Sequence, residues 1–266
     1  MANGFVFKGR NFALYNLKNK IMKSVLITGA NRSIGLEITK QLSKQGLFVY
    51  LGTRDLAKGE AVVAALNENG FENIKAVAID VTKPDSILEA KNLVEKEQGK
   101  LDILINNAGI SGALPQPASG TSIQAVQEVF DTNFFGVISV TQVFLELLKK
   151  SDSPRISNIT SGLGSLTLHS DPSWKYYDFK ATSYVTSKAA LNAYTIVLAH
   201  ELKDSAFKVN VIDPGYTATD FNHHSGPGTV ESAATFIIKH TLTDENGPSG
   251  KFFSNDIEDG SEVSAW

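Results

Sequence analysis

A tyrosine and a lysine lie four positions apart in residues 183–190, which read Ser-Tyr-Val-Thr-Ser-Lys-Ala-Ala. The alanine-rich surroundings predict a helix, so the side chains of Tyr184 and Lys188 lie on one helical face, one turn apart. A phenol with its ordinary pKa of about 10 is a poor proton donor at neutral pH, and a nearby ammonium favours the tyrosinate and lowers that pKa. The pair has the chemistry of a proton donor, although such a spacing also arises by chance.

A glycine-containing turn is the second candidate for chemistry. Residues 28–35 read Thr-Gly-Ala-Asn-Arg-Ser-Ile-Gly and separate a short apolar run from a helical pattern. Gly29 permits a tight turn, Gly35 permits close packing of the helix, and the amides at the helix start can bind a pyrophosphate. The pattern G-x-G-x-x-G is absent, and many strand-to-helix turns use glycine for geometry alone.

The elements that position these residues alternate between strand and helix. Predicted strands occupy residues 24–28, 47–51, 73–79, 101–105, 155–160 and 207–212, and predicted helices occupy residues 34–45, 84–98, 133–150 and 182–203, with a further helix starting at Asp55. This order implies parallel strands that helices cover on both faces. The fold prediction is therefore α/β: a single Rossmann-type doubly wound parallel sheet, residues 23–266, with its ligand at the carboxyl ends of the strands.

Composition excludes several classes of function. The chain has 266 residues, 42% of them hydrophobic, which is enough for the core of one large domain. A formal net charge of -3 provides no basic field for nucleic acid. The chain has no cysteine, so disulfides and thiolate chemistry are excluded, and no apolar run approaches the length of a membrane span. We expect no membrane or nucleic-acid partner and a cytoplasmic location.

Residues 1–22 differ in character from the rest of the chain. They carry four basic residues and no acid, and polar residues interrupt their apolar positions. A continuous apolar segment is missing, so a signal peptide is not predicted. The segment is either a dispensable N-terminal extension or an arm that packs on the domain or binds a partner.

Five further motifs follow the turn in a fixed order. They are Asn-Asn-Ala-Gly at 106–109, Asn133 in Asp-Thr-Asn-Phe-Phe-Gly, Ser161 in Asn-Ile-Thr-Ser-Gly, Tyr-Val-Thr-Ser-Lys at 184–188, and Pro-Gly-Tyr-Thr-Ala-Thr at 214–219. Together with the turn, they resemble the short-chain dehydrogenase/reductase family of nicotinamide enzymes, in its carbonyl-reductase-like branch, over about residues 23–266. Ser33 departs from the family, which usually has glycine there; a hydroxyl is favoured at a helix N-terminus as a cap.

The resemblance implies a reductase of ketones and aldehydes that also oxidises secondary alcohols. Tyr184 is then the proton donor, and Lys188 lowers the pKa of Tyr184 and binds the nicotinamide ribose. Ser161 polarises the carbonyl group, and Asn133 holds a water that links Lys188 to solvent. Asp80 is an adenine contact in the same resemblance. The implied cofactor-binding residues are Gly29, Asn31, Arg32, Ser33, Ile34, Gly35, Arg54, Asp80, Val81, Asn107, Ala108, Gly109, Tyr184, Lys188, Pro214, Gly215, Thr217 and Thr219.

The cofactor prediction is NADPH, with NADH also compatible. An acid about twenty residues after the glycines binds the ribose hydroxyl in NAD enzymes, and Asp55 fits that count. However, the second strand is predicted to end near Leu51, which places the acid's position at Thr53 and makes Asp55 the N-cap of the next helix. Thr53 carries no charge to repel a phosphate, and Arg32 and Arg54 can converge on a 2′-phosphate.

The substrate is predicted to be a small-molecule carbonyl compound. Its contacts are predicted at Ser161, Leu163, Tyr184, Tyr216 and Phe221. Further candidates for an apolar wall are Leu166, Trp174, Tyr176 and Phe179, although these can equally be surface cover for a helix. His223 and His224 are interpreted as polar loop residues rather than ligands, and no metal site is predicted.

Assembly and two alternative functions follow from the same resemblance. In that family the helices corresponding to residues 133–150 and 182–203 often pack across a two-fold axis, so a homo-oligomer, dimer or tetramer, is expected. An NAD-dependent alcohol dehydrogenase is the alternative within the family. A non-catalytic nucleotide sensor on the same fold is the alternative from another class, although this chain retains both Tyr184 and Lys188.

Overall fold

The structure, a computed structural model, describes residues 22–257 and 259–266. The predicted N-terminal extension lies outside the described residues apart from Met22. The described chain forms one seven-stranded sheet in the order β3-β2-β1-β4-β5-β6-β7, with every neighbouring pair of strands parallel. The strands are β1 (Ser24–Ile27), β2 (Phe48–Thr53), β3 (Ile74–Ala78), β4 (Ile103–Asn106), β5 (Arg155–Ile159), β6 (Lys208–Asp213) and β7 (Phe252–Ser254). The predicted fold class is confirmed.

Helices connect the strands and cover the sheet. They are α1 (Ser33–Lys44), α2 (Leu56–Glu68), α3 (Pro84–Gln98), α4 (Ile123–Phe130), α5 (Gly136–Leu148), the short α6 (Leu166–His169), α7 (Thr182–Glu201) and α8 (Val230–Thr241). A π-helical turn, Asp131–Phe135, joins α4 to α5 without a break. Within the described residues, no helix combines the length and the apolar character that crossing a membrane requires.

The strands are short and almost fully buried because helices pack on both faces of the sheet. Ile27 and Leu51 point to one face, where they pack with apolar residues of α1, α2 and α8. Leu26 and Tyr50 point to the other face, where they pack with residues of α3, α5 and α7. A parallel sheet buried on both faces needs apolar residues at consecutive positions, and the run from Ser24 to Ile27 has them.

The site is located by the topology. β1 pairs with β2 on one side and with β4 on the other, so the connections after β1 and after β4 leave in opposite directions along the sheet. Ligands of doubly wound sheets bind in the crevice outside the carboxyl ends of the strands at such a point. The turn after β1 and the loop after β4 therefore meet at this crevice.

Several element boundaries differ from those predicted. β2 continues to Thr53 rather than ending near Leu51, and Asn133 lies in the π-helical turn between two helices rather than at a helix start. No element was predicted for α4, α6, α8 or β7. α8 and β7 follow a long polar loop, and a three-residue strand such as Phe252–Ser254 is too short to show a period of two in sequence.

Candidate active site

A cavity of about 1200 Å³ opens at the carboxyl ends of the strands. Every residue predicted to bind the cofactor contributes to its wall, as do the five predicted substrate contacts. Of the four residues predicted to be catalytic, Ser161, Tyr184 and Lys188 line this cavity, whereas Asn133 lies behind the wall and is fully buried. Tertiary structure thus brings together motifs that are spread over almost two hundred residues of sequence.

The turn after β1 is fastened to the loop after β4. The Thr28 hydroxyl accepts hydrogen bonds from the amides of Asn107 and Ala108, each at 3.0 Å, and Asn107 Nδ2 donates to the carbonyl of Gly29 at 3.1 Å. Gly29 has a φ of +64°, and a Cβ on Gly35 would lie 2.7 Å from the Gly29 oxygen. Both glycines are therefore required by the backbone of the turn.

Ser33 does not cap the helix, contrary to the prediction. The N-cap of α1 is Arg32, which provides no side-chain hydrogen bond. Ser33 has a left-handed φ of +49°, and its hydroxyl donates to Asp220 in the loop after β6 at 3.1 Å. The helix start therefore keeps amides that no side chain caps, beside a cradle that a Cβ at Gly35 would fill. This arrangement fits the pyrophosphate of a dinucleotide.

At the end of β2, Asp55 is the N-cap of the next helix, as predicted, whereas Thr53 belongs to the strand itself. Thr53 is buried at the last position of β2, and Asp55 caps α2 by accepting a hydrogen bond from the Lys58 amide at 3.2 Å. Arg32 and Arg54 are exposed at the cavity wall and, within the described parts of the chain, have no hydrogen-bond or ion-pair partner. Lys58, in the first turn of α2, lines the same wall and was not predicted, because only the cap of that helix had been considered.

Asp80 lies in the cavity wall after β3, and its carboxylate is held by local hydrogen bonds; its contact with adenine stays a prediction. Its Oδ1 accepts hydrogen bonds from the amide and the hydroxyl of Thr82 at 3.1 and 2.7 Å. Burial acts to raise the pKa of Asp80, but the bonds from Thr82 and Lys83 outweigh it and the pKa is lowered. The carboxylate is therefore charged and oriented at neutral pH, with Oδ2 3.5 Å from the Lys83 ammonium.

Tyr184 is positioned by a residue that the sequence analysis missed. Gln116 Oε1 accepts hydrogen bonds from the backbone amides of Ser183 and Tyr184, at 3.0 and 3.2 Å, and so caps the start of α7. Its Nε2 donates to the carbonyl of Ser111 at 2.7 Å. Gln116 is only 3% exposed and belongs to a loop 66 residues before Thr182, so no local pattern could have revealed this contact.

Tyr184 and Lys188 lie together as predicted, but the expected effect on the pKa of Tyr184 is wrong. Burial raises the pKa of Tyr184 well above its ordinary value, and a hydrogen bond with Ser161 lowers it by less. Burial also lowers the pKa of Lys188 to about 8. Lys188 Nζ donates to the Ile159 carbonyl at 2.9 Å and is 5.8 Å from the centre of the Tyr184 ring. Desolvation disfavours the charged form of both groups, and this outweighs their mutual attraction.

Asn133 braces the active-site helix from behind. Its Oδ1 accepts from the Ile110 amide at 2.9 Å, and its Nδ2 donates to the Ile110 carbonyl at 2.9 Å and to the Ser187 hydroxyl at 3.0 Å. Ser187 in turn donates to the Tyr184 carbonyl at 2.7 Å. Both amide hydrogens of Asn133 are therefore used, and its side chain can hold a water only through the remaining lone pair of Oδ1.

Aromatic side chains form the substrate end of the cavity. Phe221 packs against Tyr184 with ring centres 5.6 Å apart, and Tyr176 packs against Tyr216 at 5.9 Å. Leu163 and Phe179 also line the cavity. The candidates Leu166 and Trp174 do not: Leu166 is 68% exposed, and Trp174 packs behind Tyr176 at 5.3 Å.

The two histidines after Phe221 lie in an exposed loop. His223 and His224 both have left-handed backbone conformations. His224 Nε2 lies 3.0 Å from Asp220 Oδ1, an acidic neighbour that the sequence analysis overlooked. In the described part of the chain, no group of three or more His, Cys, Asp or Glu residues could hold a metal ion.

A doubly wound parallel sheet with a glycine-containing turn after β1, and with a Ser, a Tyr and a Lys in the wall of the same cavity, is typical of nicotinamide-dependent oxidoreductases. A model of the short chain dehydrogenase family matches residues 23–229. The chain belongs to this family and is an NAD(P)-dependent oxidoreductase that acts on CH–OH and C=O groups.

Named relatives cover almost the whole chain. Salutaridine reductase of Papaver bracteatum is 32% identical, over 92% of this chain and 96% of that protein. (+)-Neomenthol dehydrogenase of Capsicum annuum is 30% identical, over 89% of this chain and 96% of that protein. Among solved structures, the NADPH-bound carbonyl reductase from chicken fatty liver is 28% identical, with a TM-score of 0.79, 92% of this chain covered and 99% of that chain.

Proposed function

We propose that the protein is an NADPH-preferring reductase of ketones and aldehydes that also oxidises secondary alcohols in the reverse direction. One observation carries the proposal: Ser161, Tyr184 and Lys188 line the same cavity as Arg32 and Arg54, two exposed arginines that have no partner among the described residues. The first group fits carbonyl chemistry, and the second fits a phosphorylated dinucleotide.

The turn after β1 would hold the pyrophosphate, and the loops after β4 and β6 would hold the nicotinamide half. When bound, NADPH supplies the hydride. Tyr184 donates its phenolic proton to the carbonyl oxygen as negative charge develops there, and the Ser161 hydroxyl donates a hydrogen bond to the same oxygen. The phenol is protonated at neutral pH, as reduction requires, and because burial raises its pKa it depends on the Lys188 ammonium and the Ser161 hydroxyl to release the proton. Oxidation requires the tyrosinate and is expected to be favoured at higher pH.

Lys188 acts beside Tyr184 and toward the ribose. Its ammonium is buried and held by the Ile159 carbonyl, so the charge has a defined position behind the phenol. It favours the tyrosinate as the proton leaves. Asn133 fixes the helix that carries both residues through Ser187. The water that links Lys188 to solvent stays a prediction for Asn133.

The preference for NADPH rests on the charges at the end of β2. Thr53 carries no charge there, and the Asp55 carboxylate is engaged with the start of α2 and with Lys58 at 3.3 Å. Charge-assisted hydrogen bonds from Arg32 and Arg54 to a phosphate are worth roughly 1.5–3 kcal/mol each before solvent screening. We expect a preference in kcat/KM of about 10- to 100-fold.

The substrate class suggested by the wall is a carbonyl compound with a bulky apolar body. Tyr176, Phe179, Tyr216 and Phe221 place several rings around the space beside Tyr184. The relatives named as reductase and dehydrogenase support a redox reaction on a small molecule. A panel of cyclic and aromatic ketones and aldehydes, followed by loss of NADPH absorbance, tests the function. The Tyr184→Phe variant is the control, and a wild type that oxidises NADPH with no member of the panel would contradict the proposal.

The two alternative functions, a non-catalytic nucleotide sensor and an NAD-dependent dehydrogenase, have less support from the site. A nucleotide sensor needs neither Tyr184 nor a buried Lys188 beside Ser161, and this chain keeps all three at the cavity. An NAD-dependent dehydrogenase has less support because the described residues place no unengaged acid at the end of β2.

We also propose a homo-oligomer, dimer or tetramer. The helical region from α4 to α5 and α7 expose Phe135, Ile196 and Val197, and Val197 is 63% exposed. Exposed apolar residues on neighbouring helices favour burial in an interface. Light scattering that shows a strict monomer at micromolar concentration would contradict this proposal.

A further inference from the structure

A buried carboxylate, Asp213, stands in the wall of the cavity and has no part in the mechanism above. It is the last residue of β6 and is only 3% exposed. Its Oδ1 accepts a hydrogen bond from the Gly215 amide at 3.0 Å, and its Oδ2 accepts one from the Ser254 hydroxyl at 2.7 Å. The carboxylate therefore joins the loop after β6 to the end of β7.

A third contact reaches the residue next to Ser161. The Asp213 carboxylate lies directly against Gly162, because a Cβ on Gly162 would be only 3.2 Å from Asp213 Oδ2, and the Gly162 amide acts to lower the pKa of Asp213. Ser161 follows β5 with an extended backbone, and its Oγ accepts a hydrogen bond from the Leu163 amide at 3.2 Å. Anchoring Gly162 thus restricts the backbone that carries the Ser161 hydroxyl.

The charge of Asp213 also reaches the proton donor and its neighbour. Four titratable groups face it: Tyr184 and Lys188 on α7, Tyr176 in the segment before α7, and Asp256 after β7. Lys175 lies 3.8 Å from Asp256 and offsets part of that second negative charge.

The direction of each effect is clear. Burial lowers the pKa of Lys188, and the Asp213 charge opposes it, whereas burial and the Asp213 charge both raise the pKa of Tyr184. Burial raises the pKa of Asp213 itself to about 6, against the hydrogen bonds it accepts and with the charge of Asp256. Asp213 is therefore mostly ionised at neutral pH and protonated in mild acid.

We propose that Asp213 is a positioning residue for the reduction: it anchors the backbone beside Ser161 and supplies the negative charge that keeps Lys188 an ammonium. The inference rests on the proposed function, since Asp213 acts through Ser161 and Lys188. Its ionised form is the active one, and its loss affects turnover more than cofactor binding.

The first experiment compares pH profiles of NADPH-dependent carbonyl reduction. In Asp213→Asn, which is similar in size but neutral, the rise in kcat near pH 6 disappears. The fall at high pH moves to lower pH by roughly 0.5–1 unit, a typical effect of one nearby charge. KM for NADPH changes little. Ser254→Ala is the matched control, because it removes one hydrogen bond to Asp213 and leaves the charge, so its profile keeps both limbs. An Asp213→Asn profile that is merely scaled down from the wild type overturns the proposal.

The second experiment needs no turnover. In the full chain labelled with 13C at lysine Cε and free of cofactor, the Lys188 signal is identified by its absence in Lys188→Met. We expect it to titrate near pH 8 in the wild type, with a second inflection near pH 6 as Asp213 ionises. In Asp213→Asn the second inflection is lost and the first moves down. Absence of the second inflection in the wild type overturns the inference even if the variant fails to fold. Failure of the carbonyl panel contradicts the proposed function alone.

Discussion

Replacing Gln116 with alanine removes the cap of the helix that carries Tyr184. Gln116 Oε1 accepts from the amides of Ser183 and Tyr184, and Nε2 donates to the Ser111 carbonyl. Loss of a helix-capping side chain costs about 0.5–2 kcal/mol, and buried amides left without an acceptor cost about 1–3 kcal/mol. We therefore expect a loss of about 2 kcal/mol in the free energy of unfolding, or about 4–8 °C in Tm for a domain of this size.

Turnover should fall as well, because Tyr184 is the third residue of α7 and belongs to the turn that loses its cap. Misplacement of a reacting group by about 1 Å can cost 10²-fold in rate, so we expect kcat to drop about 10-fold or more with little change in KM for NADPH. Thermal unfolding followed by circular dichroism and steady-state kinetics on the same preparation measure both effects.

Two control variants separate the cap from general damage. Gln116→Glu keeps an oxygen that can accept from both amides, but its second oxygen replaces the donor to the Ser111 carbonyl in a buried site, so it should recover only part of the stability and rate. Gln124→Ala removes an exposed glutamine from α4 and should be neutral, within about 0.5 kcal/mol. If Gln116→Ala unfolds at the wild-type temperature and keeps wild-type kcat, the capping argument is wrong.

Three other outcomes are expected. Tyr184→Phe should lose about 10² to 10⁴ in kcat, with NADPH affinity by fluorescence titration nearly unchanged, since the phenol supplies the proton; retention of half the wild-type kcat would refute its role. The double variant Thr53→Asp with Arg54→Ala should reverse the cofactor preference in kcat/KM, and a wild type that already prefers NADH contradicts the phosphate interpretation. Folding raises the pKa of Asp213 from 3.8 to about 6, so between about pH 4 and pH 6 the folded protein keeps a proton that the unfolded chain has released. The free energy of unfolding therefore falls as pH rises through this window. In denaturant unfolding, the free energy of unfolding of Asp213→Asn relative to the wild type should therefore increase by about 3 kcal/mol from about pH 4 to pH 6. A difference between the two proteins that does not change with pH would contradict the raised pKa.

Local patterns in the chain were enough for the architecture. The apolar run from Ser24 to Ile27 and the later runs of the same kind predicted parallel strands buried on both faces, and the structure confirms them. Glycines at positions 29 and 35 predicted the tight turn, and both are required by its backbone. These features depend on side-chain periodicity and on φ and ψ preferences, which act over a few residues and can be recognised in sequence.

Contacts between distant residues were decided by tertiary structure alone. Gln116 caps a helix that begins 66 residues later, and Asp213 meets Gly162 and Ser254 across three strand ends. Ser33 was expected to cap α1 and instead bonds Asp220, 187 residues away.

The charge states of the site show the same division. The sequence by itself determined that Tyr184 and Lys188 lie one helical turn apart, and from that spacing alone an ammonium should lower the pKa of the phenol. Only the tertiary structure decided how deeply each group is buried, and burial reversed the expected direction for Tyr184. Spacing along a helix is a local property, whereas desolvation depends on every element packed around the group.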